Sequence, residues 1–148
     1  MLRFPDPSHP AWNALGWNSE GKMRVALPFL ALILLSATLA SAQEPSATAV
    51  VCTAIENNSC EGARTVFSVT AAKLYGFSQV VNVNDRLVHV WFYKDRELGR
   101  IAMSAPRAPR WRTWSNVTIA RNMLGPWRLE ARDANGTVLA SFSFTVKE

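Results

Sequence analysis

The chain has 148 residues, a formal net charge of +5 and two cysteines. Once an N-terminal export signal is set aside, the remainder is long enough for one folded domain and too short for two. Its positive excess is small and spread along the chain, so charge alone does not argue for nucleic acid as a partner.

Residues 1–22 carry Pro5, Pro7, Pro10, Trp12 and Trp17 without apolar periodicity. They read as an upstream extension of the start site or as a short cytoplasmic lead. From Met23 to Ala42 the order changes to a positive start at Arg24, an apolar block from Val25 to Leu35, and the small-residue finish Ala40-Ser41-Ala42. That order is the signature of a helical secretory signal peptide, cleaved after Ala42. The alternative is an uncleaved anchor, the one route to membrane contact, but the apolar block falls short of the roughly 20 residues that span a bilayer. The exported part then starts at Gln43, with 43–49 a polar linker and 50–148 the folded domain. It holds thirteen Lys and Arg, ten of them Arg, against nine Asp and Glu, a net +4. The Arg excess favours stacking and bidentate contacts.

Cys52 and Cys60 are the only cysteines. In an exported chain such a pair is expected to form a disulfide, and no second Cys or His pair accompanies it to make a metal site. Closing so short a loop is worth about 2.5 kcal/mol in the chain-entropy description.

Beyond the linker, β-branched and aromatic residues come in short runs broken by Asn, Asp, Gly and Pro. The runs predict strands at 50–55, 73–81, 86–93, 98–103, 112–119, 127–132 and 137–146, with 64–72 either a short helix or a strand and bend. The last hairpin is the clearest. Trp127, Leu129 and Ala131 alternate with Arg128, Glu130 and Arg132, Asn135-Gly136 supplies positive φ for a tight turn, and Val138, Ala140, Phe142, Phe144 and Val146 line one face of the return strand. About seven short strands at this spacing predict an all-β, antiparallel, immunoglobulin-like sandwich, without the Cys…Trp…Cys spacing of true immunoglobulin domains.

The chemical inventory is thin. His89 is the only histidine after the signal segment and shares a strand face with Trp91 and Tyr93. As a general base it lacks any nearby Ser, Cys or carboxylate that strand spacing would align, so a packed or edge histidine with no acid or nucleophile partner within hydrogen-bonding reach is expected. No metalloprotease, nucleophile-elbow or phosphate-loop motif occurs, and Asp85, Asp95 and Asp133 sit at turns, where Asp serves structure. These absences predict no catalytic residues, no metal and no cofactor.

The most unusual stretch is Arg107-Ala108-Pro109-Arg110-Trp111-Arg112-Thr113-Trp114-Ser115. Strand parity puts Trp111, Thr113 and Ser115 on the core face with Val117 and Ile119, and Arg110, Arg112 and Trp114 on the other. The outer set is a candidate binding ledge for sugars or anionic polymers through stacking and bidentate hydrogen bonds, or else an internal cation–π stack. A bulge at Thr113 would turn both indoles into the core.

The runs His89–Tyr93, Pro109–Ser115, Gly125–Glu130 and Asn135–Ala140, continuing to Phe144, resemble the bacterial family known as domain of unknown function 2914. The likeness is good from Val88 to Val146 and looser from Val50 to Asn82. It implies an extracytoplasmic or membrane-associated β domain with no assigned activity, and carries over no ligand or catalytic residue. The cysteine pair is not part of it. The expectation is therefore a non-enzymatic interaction module of the cell envelope, periplasmic or extracellular, with an envelope protein or polymer as partner and no nucleic acid. The alternative is a binder of saccharide or anionic polymer through Arg110, Arg112 and Trp114.

Overall fold

The computed structural model describes residues 41–148, so the extension 1–22 and the signal segment, apart from Ser41 and Ala42, lie outside the described residues. Ten strands follow in chain order: β1 (Ser46–Cys52), β2 (Ala54–Glu56), β3 (Ser59–Glu61), β4 (Val66–Ser68), β5 (Lys73–Val81), β6 (Arg86–Tyr93), β7 (Arg96–Ser104), β8 (Trp111–Thr118), β9 (Gly125–Arg132) and β10 (Val138–Lys147). They form a three-stranded sheet in the order β1-β5-β8, a five-stranded sheet in the order β4-β10-β9-β6-β7, and a separate β2-β3 hairpin. Three strands facing four long ones, with β5 and β6 in different sheets and β9 between β10 and β6, is the immunoglobulin-type Greek-key order.

All seven sequence-predicted strands are present, two of them, 73–81 and 86–93, with the predicted bounds. The additions are three short strands. The ambiguous stretch 64–72 divides into β4, which pairs parallel with β10, and a 3-10 turn at Val69–Ala71 capped by Ser68. The expected linker 43–49 becomes strand from Ser46 onward, because β1 finds the free edge of β5 with Ser46 opposite Val81. Backbone pairing outweighs the polar composition there. The last turn also differs from expectation. Gly136 has φ +85, while Asn135 is absent from the positive-φ residues. Asp133 holds this loop, its Oδ1 accepting from the amides of Asn135 and Thr137.

The core lies between the sheets. On β5 the alternation brings Leu74, Gly76, Ser78 and Val80 inward, all buried. From the other sheet come Trp91, Trp127, Leu129, Phe144 and Val146. Trp127 stacks on Phe144 at 5.9 Å, with Phe67 of β4 edge-on to the same ring at 5.6 Å. Gly76 admits the Trp91 indole: an added Cβ would sit 2.6 Å from Leu129 Cδ2 and 2.8 Å from Trp91 Cζ2. Gly76, Trp91 and Leu129 thus occupy the centre of the sandwich, where immunoglobulin domains pack a Trp against an inter-sheet disulfide.

The disulfide is elsewhere. Cys52, at the end of β1, bonds to Cys60 of β3, as expected of the one cysteine pair. It ties down the β2-β3 hairpin, whose Asn57-Asn58 turn has φ of +48 and +57, the pair a two-residue type I′ turn requires. The hairpin crosses the outer face of the three-stranded sheet and reaches β8, where the Asn58 carbonyl accepts a 3.5 Å hydrogen bond from Arg112.

Candidate functional site

His89 points from β6 into the core and is completely buried. Its Nε2 lies 2.8 Å from Ser78 Oγ on β5, and its Nδ1 2.8 Å from Ser115 Oγ on β8. Ser115 Oγ also accepts from Trp91 Nε1 at 3.1 Å. This corrects the expectation that no serine is near His89. The serines come from the opposite sheet, and only the inter-sheet register brings them there. The cluster is a closed bridge between the sheets. Burial pulls the His89 pKa down from 6.5 to about 4, so the ring is neutral at physiological pH and shares one N–H and one lone pair between the two hydroxyls. Among the described residues no three His, Cys, Asp or Glu side chains come together as a metal site.

The arginine and tryptophan run forms β8, the last strand of its sheet. Parity holds along it: Ser115 and Ile119 are buried as predicted, and Trp114, opposite Phe77 on the outer face, is 39% exposed. Trp111 is the exception. It lies on the inward side opposite the buried Val80, yet it is 40% exposed rather than buried with Val117 and Ile119. The cause is the edge: among the described residues no strand continues the sheet beyond β8, so an inward-directed indole at its end meets solvent.

Arg110, Trp111, Arg112 and Trp114 therefore line one open groove of about 500 Å3 together with Asn58 at the tip of the hairpin. Arg110 Nε donates to Gln79 Oε1 at 2.9 Å, and Arg112 to the Asn58 carbonyl. Among the described residues neither guanidinium has an ion pair, and none stacks on Trp114. The predicted ledge residues are brought together, and Trp111 and Asn58 join them. Asn58 was illegible because only the disulfide-tied hairpin carries it to β8.

The arginine stack predicted for Trp114 occurs on the opposite side of the molecule. On the outer face of β6 and β9, Arg128 lies 4.2 Å over the Phe92 ring and Arg132 6.0 Å from it. Glu130, between them, accepts from both guanidiniums, and Arg128 also pairs with Asp95 at 2.7 Å. Their stems cover Val90 and Phe92, which are buried although they face outward.

The described residues are thus those of an all-β sandwich with one closed polar bridge and one open arginine and tryptophan groove. Residues 84–146, which contain β6 to β9 and nearly all of β10, match the family described as Protein of unknown function (DUF2914), the family whose motifs the sequence resembles. No curated protein matches the chain. Among solved structures it is similar to the CARDB domain of a Pyrococcus furiosus protein in complex with di-metal ions, at 14% identity and a TM-score of 0.43, over 70% of this chain and 92% of that one. It is also similar to a Listeria innocua beta-glucosidase, in complex with glucose (9% identity, TM-score 0.43) and as a mutant in complex with laminaribiose (9%, 0.44). The match covers 71% of this chain and only 16% of the glucosidase.

Proposed function

We propose that this chain is a non-enzymatic, exported interaction module of the cell envelope, and that its contact surface is the β8 groove of Arg110, Trp111, Arg112 and Trp114. The observation that carries the reading is the groove itself: two exposed indoles and two guanidiniums without an acidic partner, on the free edge of a sheet. Exposed aromatics beside unpaired arginines are the composition of interface anchors. The burial of His89, the one imidazole of the described residues, supports the non-enzymatic reading, and the Cys52–Cys60 disulfide supports an oxidising compartment. The test is photo-crosslinking in the cells that make the protein, with the reactive residue placed at position 114 in one variant and at position 128 in another. Adducts from 114 and not from 128 are expected. Adducts from 128 alone would assign contact to the other face.

The second reading, a binder of acidic saccharide or anionic envelope polymer, is favoured by the same groove, since indoles stack on sugar rings and guanidiniums take carboxylates in bidentate fashion. Calorimetric titration with oligogalacturonate should then give a binding heat that Trp114→Ala and Arg112→Ala each abolish.

A further inference from the structure

Among the described residues, one flank of the sandwich is a strand short. The last strand of the three-stranded sheet is β8 and the last of the five-stranded sheet is β7, and the loop 105–110 joins them. At three places on this flank a position in register with a core residue opens to solvent. Ile101 pairs with the buried His89 yet is 37% exposed. Gly99 pairs with the buried Trp91, and a Cβ added there would meet nothing within 4 Å. Trp111 pairs with the buried Val80 and is 40% exposed. Nearly the whole of β7 is exposed on both faces.

A fourth strand beside β8 would lie over this opening. It would use the backbone groups that β8 leaves unpaired on its free side, and cover Ile101 and Gly99. We propose that the flank accepts an extended peptide segment of a partner protein, added to β8 as a strand, with apolar side chains alternating inward toward Ile101 and Trp111 and acidic ones outward toward Arg112. Strand addition of this kind takes affinity from main-chain hydrogen bonds and specificity from alternate side chains. Charge selects the occupant. Strand β8 reads Trp-Arg-Thr-Trp-Ser-Asn-Val-Thr, with no acid and with Arg110 just before it. A second copy pairing through the same edge would add arginines and no acid to it, whereas an acidic strand complements the edge.

The inference rests on the proposal that β8 is the contact surface, and its test separates the two. The probe is a ten-residue peptide of alternating Asp and Val, added to the full chain while backbone amide hydrogen exchange is followed residue by residue. Strand addition should slow exchange within Trp111–Thr118 by roughly tenfold or more at saturation. Arg112→Glu, an exposed change, should weaken the affinity roughly tenfold, the loss of one charge-assisted contact. The same peptide N-methylated at alternate residues should give no protection. Absence of β8 protection by the unmodified peptide overturns the inference. Oligogalacturonate binding that depends on Trp114 and Arg112 but leaves β8 exchange unchanged also overturns it, and leaves the contact-surface reading standing. Protection that grows with protein concentration without peptide assigns the edge to a second copy, and again overturns it. If neither probe binds, the inference and the acidic-polymer reading both fall, and crosslinking from position 114 decides the contact-surface reading by itself.

Discussion

Two surfaces of this sandwich use the same residue types to opposite ends. On the outer face of β6 and β9, Arg128 and Arg132 lie against Phe92 and share Glu130, so their charge is answered within the fold. On β8, Arg110 and Arg112 stand beside Trp111 and Trp114 with only a side-chain amide and a backbone carbonyl as partners. The difference is one of position. Strand β9 is central in its sheet: Phe92 of β6 lies under Arg128, Glu130 of β9 itself sits between the two arginines, and Asp95 of the β6–β7 turn reaches Arg128. Among the described residues β8 has a neighbour on one side only. An arginine next to an aromatic is a structural device where the sheet surrounds it, and an available contact where the sheet ends.

The comparison is sharpened by removing Phe92 and the β8 indoles in turn. Phe92→Ala should cost about 3 kcal/mol of unfolding free energy in denaturant titrations, because it deletes a buried ring and the platform under two guanidiniums. A cost near zero would make the closed face as expendable as the open one. The core beneath β8 can be probed by pH. The His89 pKa falls from 6.5 unfolded to about 4 folded, so between these values the unfolded chain binds a proton that the folded one refuses. Stability should therefore be full above pH 6.5 and decline by about 3 kcal/mol as pH falls toward 4, and His89→Gln should remove most of that slope. Next in size, Glu130→Gln should cost about 1–2 kcal/mol, since it leaves two partly buried guanidiniums without their shared carboxylate. Similar in size are Trp111→Ala and Trp114→Ala, each about 1–2 kcal/mol in melting experiments, because each indole keeps about two fifths of its surface in water. A Trp111→Ala cost of about 3–5 kcal/mol, the range for a buried ring, would mean that the groove is closed in solution.

What the sequence carries plainly is local. The short β-branched and aromatic runs, the turn residues between them and the alternation in the last hairpin placed the seven main strands, and a pair of cysteines in an exported chain gave the disulfide. Of the three-residue strands, β2 falls mostly within the predicted 50–55 and β4 within the strand-and-bend alternative for 64–72. Strand β3 escaped because three residues show too little alternation to be read, and β4 is fixed by its parallel pairing with β10, far along the chain. The Ser78–His89–Ser115 bridge escaped for the same reason: the inward parity of each residue is legible, but their meeting depends on how one sheet is laid over the other. Trp111 shows the remaining gap. Period-two reasoning gave its side correctly and its exposure wrongly, because parity says which way a residue points and not whether anything lies there.

The central claim is that β8 presents Trp111 and Trp114 in an open, positively charged groove while the other two indoles of the described residues, Trp91 and Trp127, are enclosed. Fluorine NMR of fluorotryptophan-labelled protein, each resonance assigned by one Trp→Phe variant, tests it in a single sample. Small paramagnetic chelates should broaden the signals of Trp111 and Trp114, an anionic chelate more than a neutral one, and leave Trp91 and Trp127 sharp. Signals from Trp111 and Trp114 as sharp as that of Trp91, or broadened more by a cationic chelate than by an anionic one, would contradict the account.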